Sequence, residues 1–395
     1  MQGRDIETRG GRGALPAARR VVVKVGSAVL TAEDGLDLAA IAELSRQISS
    51  LWDQGREVIL VSSGAVAAGM RRMGIAKKPA VMREKQAVAA VGQGALIRKY
   101  EKAFEEHGKT VAQVLLAGYD LSRRVSYLNA RNTLQTLLSW KVTPIINEND
   151  TVATEELKFG DNDNLSAMMA HLLDADALVI LTDIDGLYTS DPRTDPSARL
   201  VPELSCTGKK GRDIVCAGSG SAVGTGGMAS KVAAAKKATD AGIPVAITNG
   251  KKPGTLLSVL SGETCGTFFP PSEKRMARRQ CWLAWAARPK GVLVVDEGAE
   301  KALVTGKKSL LPVGVKEVSG VFSEGSPVAV KAQNGKIIAK GLSSFSSADI
   351  LRIMGKPSSM IEEILGGRQH DEVVHRDNLV LIDEAKEADK DSTNA

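Results

Sequence analysis

Short apolar segments alternate with longer amphipathic ones from residue 21 to about residue 271, and this alternation constrains the fold more than any other feature. The apolar segments are rich in β-branched residues and lie at 21–25, 58–61, 111–115, 142–146, 177–181 and 245–248. Helix-type patterns separate them at 36–52, 84–106, 127–140 and 228–241. Near-continuous apolar strands are typical of a parallel sheet that is covered on both faces. We therefore predict an α/β fold, a three-layer αβα sandwich with a mainly parallel sheet, over residues 21–272.

A domain boundary is predicted after Pro270 and Pro271, because the pattern changes there. The segment 273–290 is interpreted as a basic linker with six lysines and arginines: Lys274, Arg275, Arg278, Arg279, Arg288 and Lys290. Shorter β-type segments follow, and Asn334-Gly335 between two of them is a strong hairpin signal. We predict a small β-rich domain over residues 291–382.

Both ends of the chain are predicted to be disordered. Residues 1–20 are rich in arginine and glycine and lack the apolar segment of a secretory signal, which favours a disordered N-terminal extension. Residues 383–395 carry five acidic residues against two lysines, which favours an acidic disordered tail. The formal net charge of +6 is therefore spread unevenly, and alone it says little about a nucleic-acid partner.

Composition excludes several classes of protein. The hydrophobic fraction of 43% and the charged fraction of 25% are those of a globular chain, not of a collagen-like, coiled-coil or largely disordered one. Aromatic residues make up only 4%, which disfavours an extended base-stacking surface. No apolar segment approaches the roughly 18 to 20 residues that span a bilayer, so we expect no membrane partner. The four cysteines form no CxxC pair, which favours a reduced, cytoplasmic protein.

Two predicted strands end in residues suited to anion binding. Lys24 lies at the end of the first strand, and Ser62-Ser63-Gly64 follows the second and precedes a helix. A lysine in an apolar strand is costly unless it emerges at the carboxyl end, where open α/β sheets bind ligands. Backbone amides at a helix start suit a carboxylate or a phosphate. A lysine that reaches solvent and a serine that only caps the helix are the structural alternatives.

Two clusters of Asn and Asp follow later in the chain. Asn-Glu-Asn-Asp at 147–150 comes after a predicted strand, and Gly-Asp-Asn-Asp-Asn at 160–164 precedes a helix. Their carboxylates suit an ammonium group and their amides suit a carboxylate, so they indicate a polar small-molecule site. The alternation of a calcium-binding loop is missing, which disfavours a metal cage. Asx turns and a helix cap are the structural alternative.

A glycine-rich segment at 218–228 leads directly into a helix that carries Lys231. Free amides at a helix start, together with a lysine in the first turns, are typical of phosphate binding. The segment matches neither a P-loop nor the GxGxxG pattern of dinucleotide sites. His375-Arg376-Asp377 copies a protein-kinase triplet without the motifs that accompany it, and we interpret it as coincidence. A flexible surface loop is the structural alternative for 218–228.

The ordered set of motifs resembles the amino-acid kinase superfamily. The set runs Lys24-Val25-Gly26-Ser27, Ser62-Ser63-Gly64-Ala65, 147–150, 160–164 and 224–231, and its two Asn/Asp clusters resemble the glutamate 5-kinase family in particular. The segment 294–299 resembles a PUA domain. Together the matches cover residues 21–382, so the resemblance implies an amino-acid kinase fold followed by a PUA-like domain. Ser27 departs from the threonine more frequent in the family but keeps the hydroxyl.

The resemblance also implies an activity, phosphoryl transfer from MgATP to the side-chain carboxylate of L-glutamate, as the first step of proline biosynthesis. It implies that Lys24 and Lys231 flank the transferring group and that Asp163 holds them. Glutamate would be bound by Ser63, Asp150 and Asn162. ATP would be bound by Lys24, Thr182, Asp183, Thr225, Gly226, Gly227, Met228, Ala229, Ser230 and Lys231. Mg²⁺ would enter with ATP without an assigned protein ligand, and proline would act as a feedback inhibitor.

This chemistry agrees with the residues present. A carboxylate with a pKa near about 4.3 is already ionised at neutral pH, so no general base is needed. A kinase for acetylglutamate, aspartate or a nucleoside monophosphate is the alternative within the superfamily, and the two Asn/Asp clusters argue against it. An RNA-binding or RNA-modifying protein is the alternative from another class. RNA binding through the PUA-like domain and a homo-oligomer, a dimer or a tetramer, stay open.

Overall fold

The computed structural model describes residues 11–32, 35–77, 79–152, 162–206, 227–273, 275–367 and 370–382. The chain divides into two compact units. The first unit ends at Met276 and excludes the three residues Ser122–Arg124, which belong to the second unit together with the chain from Ala277 onward. The first unit contains a mainly parallel sheet with helices, and the second contains a smaller β-rich sheet. The predicted fold class is therefore confirmed.

A seven-stranded sheet in the order β5-β6-β4-β1-β7-β8-β9 forms the centre of the first unit. Its strands are β1 (Arg20–Val25), β4 (Glu57–Val61), β5 (Val111–Leu116), β6 (Thr143–Glu148), β7 (Ala177–Thr182), β8 (Val245–Asn249) and β9 (Thr267–Phe269). All neighbouring pairs are parallel except β8 and β9. The six strands predicted from the sequence are all present. A short antiparallel pair, β2 (Thr31–Ala32) and β3 (Gly35–Leu36), follows β1.

Helices connect the strands, as the sequence predicts, and their ends differ from the prediction by one to three residues. They are α1 (Ser27–Leu30), α2 (Leu38–Asp53), α3 (Ala65–Met73), α4 (Met82–Glu105), α5 (Gly118–Ser122), α6 (Arg124–Ser139), α7 (Asn162–Leu172), α8 (Gly227–Asp240) and α9 (Thr255–Leu260). Asp37 begins α2 by accepting a hydrogen bond from the backbone of Ala40. Within the described ranges, no helix combines the length and apolar character that crossing a membrane requires.

The central strand β1 sorts its side chains between the two faces of the sheet. Val21, Val23 and Val25 belong to a buried core that also includes apolar side chains of α2 and α4. Since side chains alternate along a strand, Val22 and Lys24 point to the opposite face, where α7 packs against β1. Lys24 is therefore directed towards the first turn of α7, which carries Asp163.

Helices α3 and α4 cross at a contact that only glycine allows. A Cβ atom on Gly92 of α4 would lie 1.8 Å from the backbone oxygen of Ala65, the first residue of α3. A Cβ atom on Gly69 of α3 would lie 1.9 Å from the backbone oxygen of Val88. Gly64 precedes α3 with a φ of 100°, a conformation that favours glycine. The crossing therefore fixes the turn that follows Ser63.

The N-terminal extension differs from the prediction of disorder through residue 20. Arg12–Ala14 form a short 3₁₀ helix, and Leu15 is completely buried. The guanidinium of Arg12 donates to the backbone oxygens of Pro202 at 2.8 Å and Cys265 at 3.2 Å. The buried side chain of Leu15 and the hydrogen bonds of Arg12 hold residues 11–20 in place. The arginine- and glycine-rich composition gives no sign of these contacts. Residues 1–10 and the predicted acidic tail at 383–395 lie outside the described residues.

The second unit is built on a five-stranded sheet in the order β11-β10-β12-β13-β14. The strands are β10 (Gly291–Val295), β11 (Val315–Ser319), β12 (Pro327–Ala332), β13 (Ile337–Leu342) and β14 (Leu379–Leu381). The helices of this unit are α10 (Arg278–Trp285), α11 (Glu297–Val304), α12 (Ser347–Ile353) and α13 (Ile361–Leu365). As predicted, Asn334 and Gly335 turn β12 into β13, and Gly335 has a φ of 91°.

The predicted basic linker at 273–290 differs from the structure. Residues 278–285 form α10, which packs against β14 and β13 of its own unit. Cys281 and Leu283 are completely buried. The apolar residues between the arginines therefore form a helix that belongs to the second unit, although the charges of the segment suggest a solvated linker.

The α3–α4 crossing predicts opposite effects for two neighbouring glycines. Gly92→Ala should lower the free energy of unfolding by about 3 kcal/mol, because the added methyl group meets backbone atoms that cannot move away. Gly94→Ala, on the same helix, should raise it by up to about 1 kcal/mol, because its nearest new neighbour is 3.8 Å away and alanine favours helix. Urea unfolding measures both, and equal effects of the two substitutions would contradict the close crossing.

Candidate active site

The carboxyl ends of four neighbouring parallel strands, β6, β4, β1 and β7, lie at one edge of the sheet. This is the edge at which open α/β sheets bind ligands. A cleft of about 930 Å³ opens there. It is lined by Lys24, Gly26, Ser27, Ala28, Ser63, Asn147, Glu148, Asp150, Asn162, Asp163, Thr182, Asp183, Gly227, Ser230 and Lys231.

A single buried carboxylate joins two lysines at the base of this cleft. Asp163 has one oxygen, Oδ1, 2.6 Å from Nζ of Lys24 and the other, Oδ2, 3.2 Å from Nζ of Lys231. The hydroxyl of Ser230 donates to Oδ2 at 2.7 Å. Lys24 and Asp163 are only 5% and 1% exposed. Burying a charged group this far is costly unless it has a partner of opposite charge. The aspartate therefore sets the positions of both ammonium groups.

The pKa of Asp163 lies below its ordinary value. Burial would raise this pKa, but the charges of Lys24 and Lys231 and the hydrogen bond from Ser230 outweigh burial. Because the pKa is lower in the folded than in the unfolded chain, the ion pairs stabilise the fold above the unfolded value of about 4. This contribution is lost as the pH falls through the folded-state pKa of Asp163. Asp163 is thus ionised at neutral pH and holds the two lysines side by side, an arrangement that suits an anionic ligand bound next to them.

The starts of two helices contribute to the same cleft. Asp163 lies in the first turn of α7, and Ser230 and Lys231 lie in the first turns of α8, which begins at Gly227. The backbone oxygen of Gly227 accepts a hydrogen bond from Nζ of Lys231 at 2.9 Å. Helix starts present unpaired amides and the positive end of the helix dipole, which adds to the attraction of the lysines for an anion.

An amide network also lines the cleft. The amide nitrogen of Asn162 donates to the hydroxyl of Ser63 at 2.9 Å, to the backbone oxygen of Ser62 at 2.9 Å and to the side-chain oxygen of Asn147 at 3.0 Å. Asp150 lines the cleft close by, two residues beyond β6. This wall combines hydroxyl, amide and carboxylate groups, a set that recognises a small zwitterion.

A second cavity of about 600 Å³ adjoins the cleft. The two share Thr182, Asp183, Gly227 and Lys231. The second cavity has a larger apolar component that comes from Ile184, Leu187, Tyr188, Pro192 and Met228. An apolar cavity that shares Lys231 and the start of α8 with the cleft matches a ligand with a flat organic part and an anionic part, as in a nucleoside polyphosphate.

Comparison with known proteins agrees with this geometry. Residues 19–249 match the model of the amino acid kinase family, and residues 291–365 match that of the PUA domain. Glutamate 5-kinase of Carboxydothermus hydrogenoformans is 51% identical over 374 residues, 94% of this chain and 100% of the relative. Glutamate 5-kinase of Thermus thermophilus is 50% identical over 369 residues, 93% and 99% of the two chains. The chain belongs to the glutamate 5-kinase family.

Solved structures add little to these matches. Carbamate kinase from Giardia lamblia bound to AMP-PNP aligns with 65% of this chain and 100% of its own length, at 18% identity and a TM-score of 0.49. A likeness at that level carries no argument about the site. The family assignment rests on the sequence matches, which cover both units.

Most site residues predicted from the family's motifs lie in the two cavities. The cleft collects Lys24, Ser63, Asp150, Asn162, Asp163, Thr182, Asp183, Gly227, Ser230 and Lys231, and Met228 lines the second cavity. Ala229 lies in the first turn of α8 but lines neither cavity. Thr225 and Gly226 lie outside the described residues. The structure therefore brings the predicted residues together, and their roles stay predictions.

Other residues of the site escape the motif-based prediction. Asn147 and Glu148 line the cleft, although the prediction selects only Asp150 from that cluster. Gln93 on α4 accepts a hydrogen bond from Asn147 at 2.9 Å. The hydroxyl of Tyr100, on the same helix, lies 2.9 Å from that of Ser62, and burial raises the pKa of Tyr100 well above its ordinary value. Nothing in the helical pattern of α4 distinguishes these two residues from their neighbours.

The buried ion pairs predict a pH-dependent loss of stability in Asp163→Asn. The variant leaves the ammonium group of Lys24 buried without a counter-charge, which should cost about 3 kcal/mol of unfolding free energy near neutral pH. The difference from wild type should shrink as the pH falls through the folded-state pKa of Asp163, because the wild-type group then also becomes neutral. Urea unfolding at a series of pH values measures this difference.

A surface ion pair provides the matched control for this experiment. Asp53, whose side chain is 68% exposed, pairs with Lys109. Asp53→Asn should cost about 1 kcal/mol or less. If Asp163→Asn is no more destabilising than Asp53→Asn, the ion pairs do not hold the lysines.

Proposed function

We propose that this chain transfers the γ-phosphoryl group of ATP to the side-chain carboxylate of L-glutamate. A carboxylate oxygen of glutamate forms the new bond to phosphorus, and the bond between that phosphorus and the β,γ-bridging oxygen breaks. The products are L-glutamyl 5-phosphate and ADP. The observation that carries this proposal is the cluster of Lys24, Asp163 and Lys231 in the polar cleft, of which Lys231 also lines the second cavity.

The two lysines would act through charge and position. Both reacting groups are anionic and repel each other, so the ammonium groups of Lys24 and Lys231 lower the barrier by neutralising charge around the transferring phosphoryl group. The glutamate carboxylate needs no general base, because it is ionised at neutral pH. Asp163 would keep the lysines at fixed positions, and a preorganised charge costs little reorganisation during the reaction.

Glutamate would occupy the amide-rich wall of the cleft. Asp150 offers a carboxylate for the substrate ammonium group, and Ser63 offers a hydroxyl for its α-carboxylate. The NH₂ group of Asn162 is already shared by three acceptors, so Asn162 would contribute its side-chain oxygen, which has no partner among the described residues, as an acceptor for the ammonium group. The nucleoside of ATP would lie in the second cavity, with Thr182, Asp183 and the start of α8 beside its phosphates. This arrangement directs the γ-phosphoryl group towards the boundary that the two cavities share.

Mg²⁺ is proposed as the cofactor that enters with ATP. Among the described residues, no three His, Cys, Asp or Glu side chains are grouped closely enough to hold a metal ion, and Asp163 is already engaged by two lysines. Mg²⁺ favours phosphate oxygens and retained waters, so an ion carried by the nucleotide fits the residues present. Asp183, which lines both cavities, would contact it through water. The ion would supply further neutralisation of phosphate charge.

The family relationship also supports a metabolic role. We infer that the reaction is the first step of proline biosynthesis and that proline inhibits it at or next to the glutamate site. A homo-oligomer, a cytoplasmic location and RNA binding by the second unit stay predictions from the resemblance. The match to a PUA domain is the observation that keeps RNA binding open as a secondary property.

A steady-state assay of ADP release tests the proposed function. With MgATP, glutamate should support turnover, whereas N-acetylglutamate, aspartate and uridine monophosphate should not. Hydroxylamine added to the reaction should trap the acyl phosphate as a hydroxamate in an amount equal to the ADP released. Turnover with N-acetylglutamate but not with glutamate would overturn the proposal.

Lys231→Ala should lower kcat by roughly 10²–10³-fold while the KM for glutamate changes little. The reason is that an ammonium group facing the transferring phosphoryl group stabilises the transition state more than the bound substrate. Lys99→Ala, at an exposed position of α4, is the matched control and should retain wild-type kcat. An unchanged kcat in Lys231→Ala would remove this lysine from the phosphoryl site.

Asp150→Ala should mainly raise the KM for glutamate, by about tenfold or more, because it removes the counter-charge of the substrate ammonium group. If proline shares this site, its inhibition should weaken in parallel. The measurement is a matrix of initial rates over glutamate and proline concentrations. A large rise in KM with unchanged proline inhibition would separate the two sites, and an unchanged KM would exclude Asp150 from glutamate binding.

A further inference from the structure

Gln93 lies on α4 behind the wall of the cleft that carries Asn147. Its side-chain oxygen accepts a hydrogen bond from the amide nitrogen of Asn147 at 2.9 Å. Asn147 is only 3% exposed, so its amide must find partners within the protein. Gln93 does not line the cleft but a neighbouring cavity between α4, β5 and residues 148–151. Its hydrogen bond to Asn147 connects it to the cleft, with which the neighbouring cavity shares Glu148 and Asp150.

Asn147 uses the other end of its amide to organise the cleft. Its side-chain oxygen accepts hydrogen bonds from the amide nitrogen of Asn162 at 3.0 Å and from the backbone N–H of Glu148 at 2.9 Å. Rotating the amide by a half-turn would set its NH₂ group against these two donors. The backbone N–H of Glu148 excludes that alternative because it can only donate, so the NH₂ end of Asn147 faces Gln93 and needs an acceptor there.

The orientation of Asn147 continues to the predicted substrate groups. The Asn162 nitrogen that donates to Asn147 also lies 2.9 Å from the hydroxyl of Ser63. The side chains of Gln93, Asn147, Asn162 and Ser63 thus form a continuous series of hydrogen bonds from α4 to the cleft. In a partly buried network, each member restricts the orientation of the next.

Helix α4 is itself held firmly at this level. Gly92, the residue before Gln93, makes the close contact with Ala65 at the start of α3. Tyr100 lies seven residues after Gln93, about two helical turns along the same side, and its hydroxyl meets that of Ser62 at 2.9 Å. One contact before Gln93 in the helix and one after it therefore fix the distance of Gln93 from the ends of β4 and β6.

We propose that Gln93 is a positioning residue of the glutamate site. By accepting from the NH₂ group of Asn147, it holds Asn147 in the position from which the oxygen of that side chain meets Asn162, the neighbour of Ser63. This inference rests on the proposed function, since it assigns glutamate to Ser63 and Asn162. It adds a residue of α4, outside the sequence motifs, that determines affinity for the acceptor without contacting it.

The test compares variants that remove or keep the acceptor oxygen. Gln93→Met has similar volume and no acceptor, and it should raise the KM for glutamate about tenfold, the effect of losing one well-placed hydrogen bond. The KM for ATP and kcat should stay within about threefold of wild type. Gln93→Glu keeps an acceptor oxygen in either protonation state and should restore most of the glutamate affinity. Gln93→Ala provides a second variant without an acceptor if Gln93→Met fails to fold.

Controls separate positioning from stability and from the proposed function. Gln54→Leu changes a glutamine exposed at the end of α2 and should leave both KM values unchanged. Thermal unfolding shows whether each variant is folded at the assay temperature. If wild type turns over glutamate but both acceptor-free variants keep its KM, or if glutamate and ATP are affected equally, the inference is overturned while the proposed function stands. If wild type does not phosphorylate glutamate, the proposed function itself fails.

Discussion

The structure of the site depends on one buried carboxylate between two ammonium groups. Asp163 can remain ionised at 1% exposure only because Lys24 and Lys231 lie within 2.6 and 3.2 Å of its oxygens. The lysine of β1 reaches it because the strand alternates its faces, and the lysine of α8 reaches it because α7 and α8 pack together. Three elements that are distant in sequence must therefore assemble before the charge is compensated. The same assembly places both lysines beside the helix starts at the carboxyl end of the sheet.

Two sides of the sheet thereby contribute different functions. Helices α7 and α8 supply charge and the amide of Asn162, and the strand ends beside α3 and α4 supply the hydroxyl of Ser63 and the amide of Asn147. The close crossing at Gly92 and the buried hydroxyl of Tyr100 hold the second side in place. These two environments meet in the cleft, as the proposed reaction of a phosphate donor with a zwitterionic acceptor requires. Positioning and charge are then sufficient for phosphoryl transfer to a carboxylate.

Periodic patterns in the sequence predict the strands and helices well. Contacts between residues that are distant in sequence cannot be predicted from these patterns. The β-branched segments and helical patterns identify six strands of the main sheet, and the motifs identify Lys24, Asp163 and Lys231. Gln93 and Tyr100 escape because a polar residue in a helical pattern does not reveal its partner, which here comes from a strand end. The N-terminal segment and α10 are misjudged because their charge hides Leu15, Cys281 and Leu283, whose burial decides their structure. Charge-rich composition indicates solvation only when no apolar residue finds a core.

The central claim is that the site works by charge and position, without transfer of a proton. The most direct test is the pH dependence of kcat with glutamate and saturating MgATP between about pH 6 and about pH 8. The substrate carboxylate is ionised throughout this range and the proposed reaction moves no proton, so kcat should vary by no more than about twofold. A kcat that rises or falls tenfold with an apparent pKa between about 6 and about 8, accompanied by a large solvent deuterium isotope effect, would contradict the account.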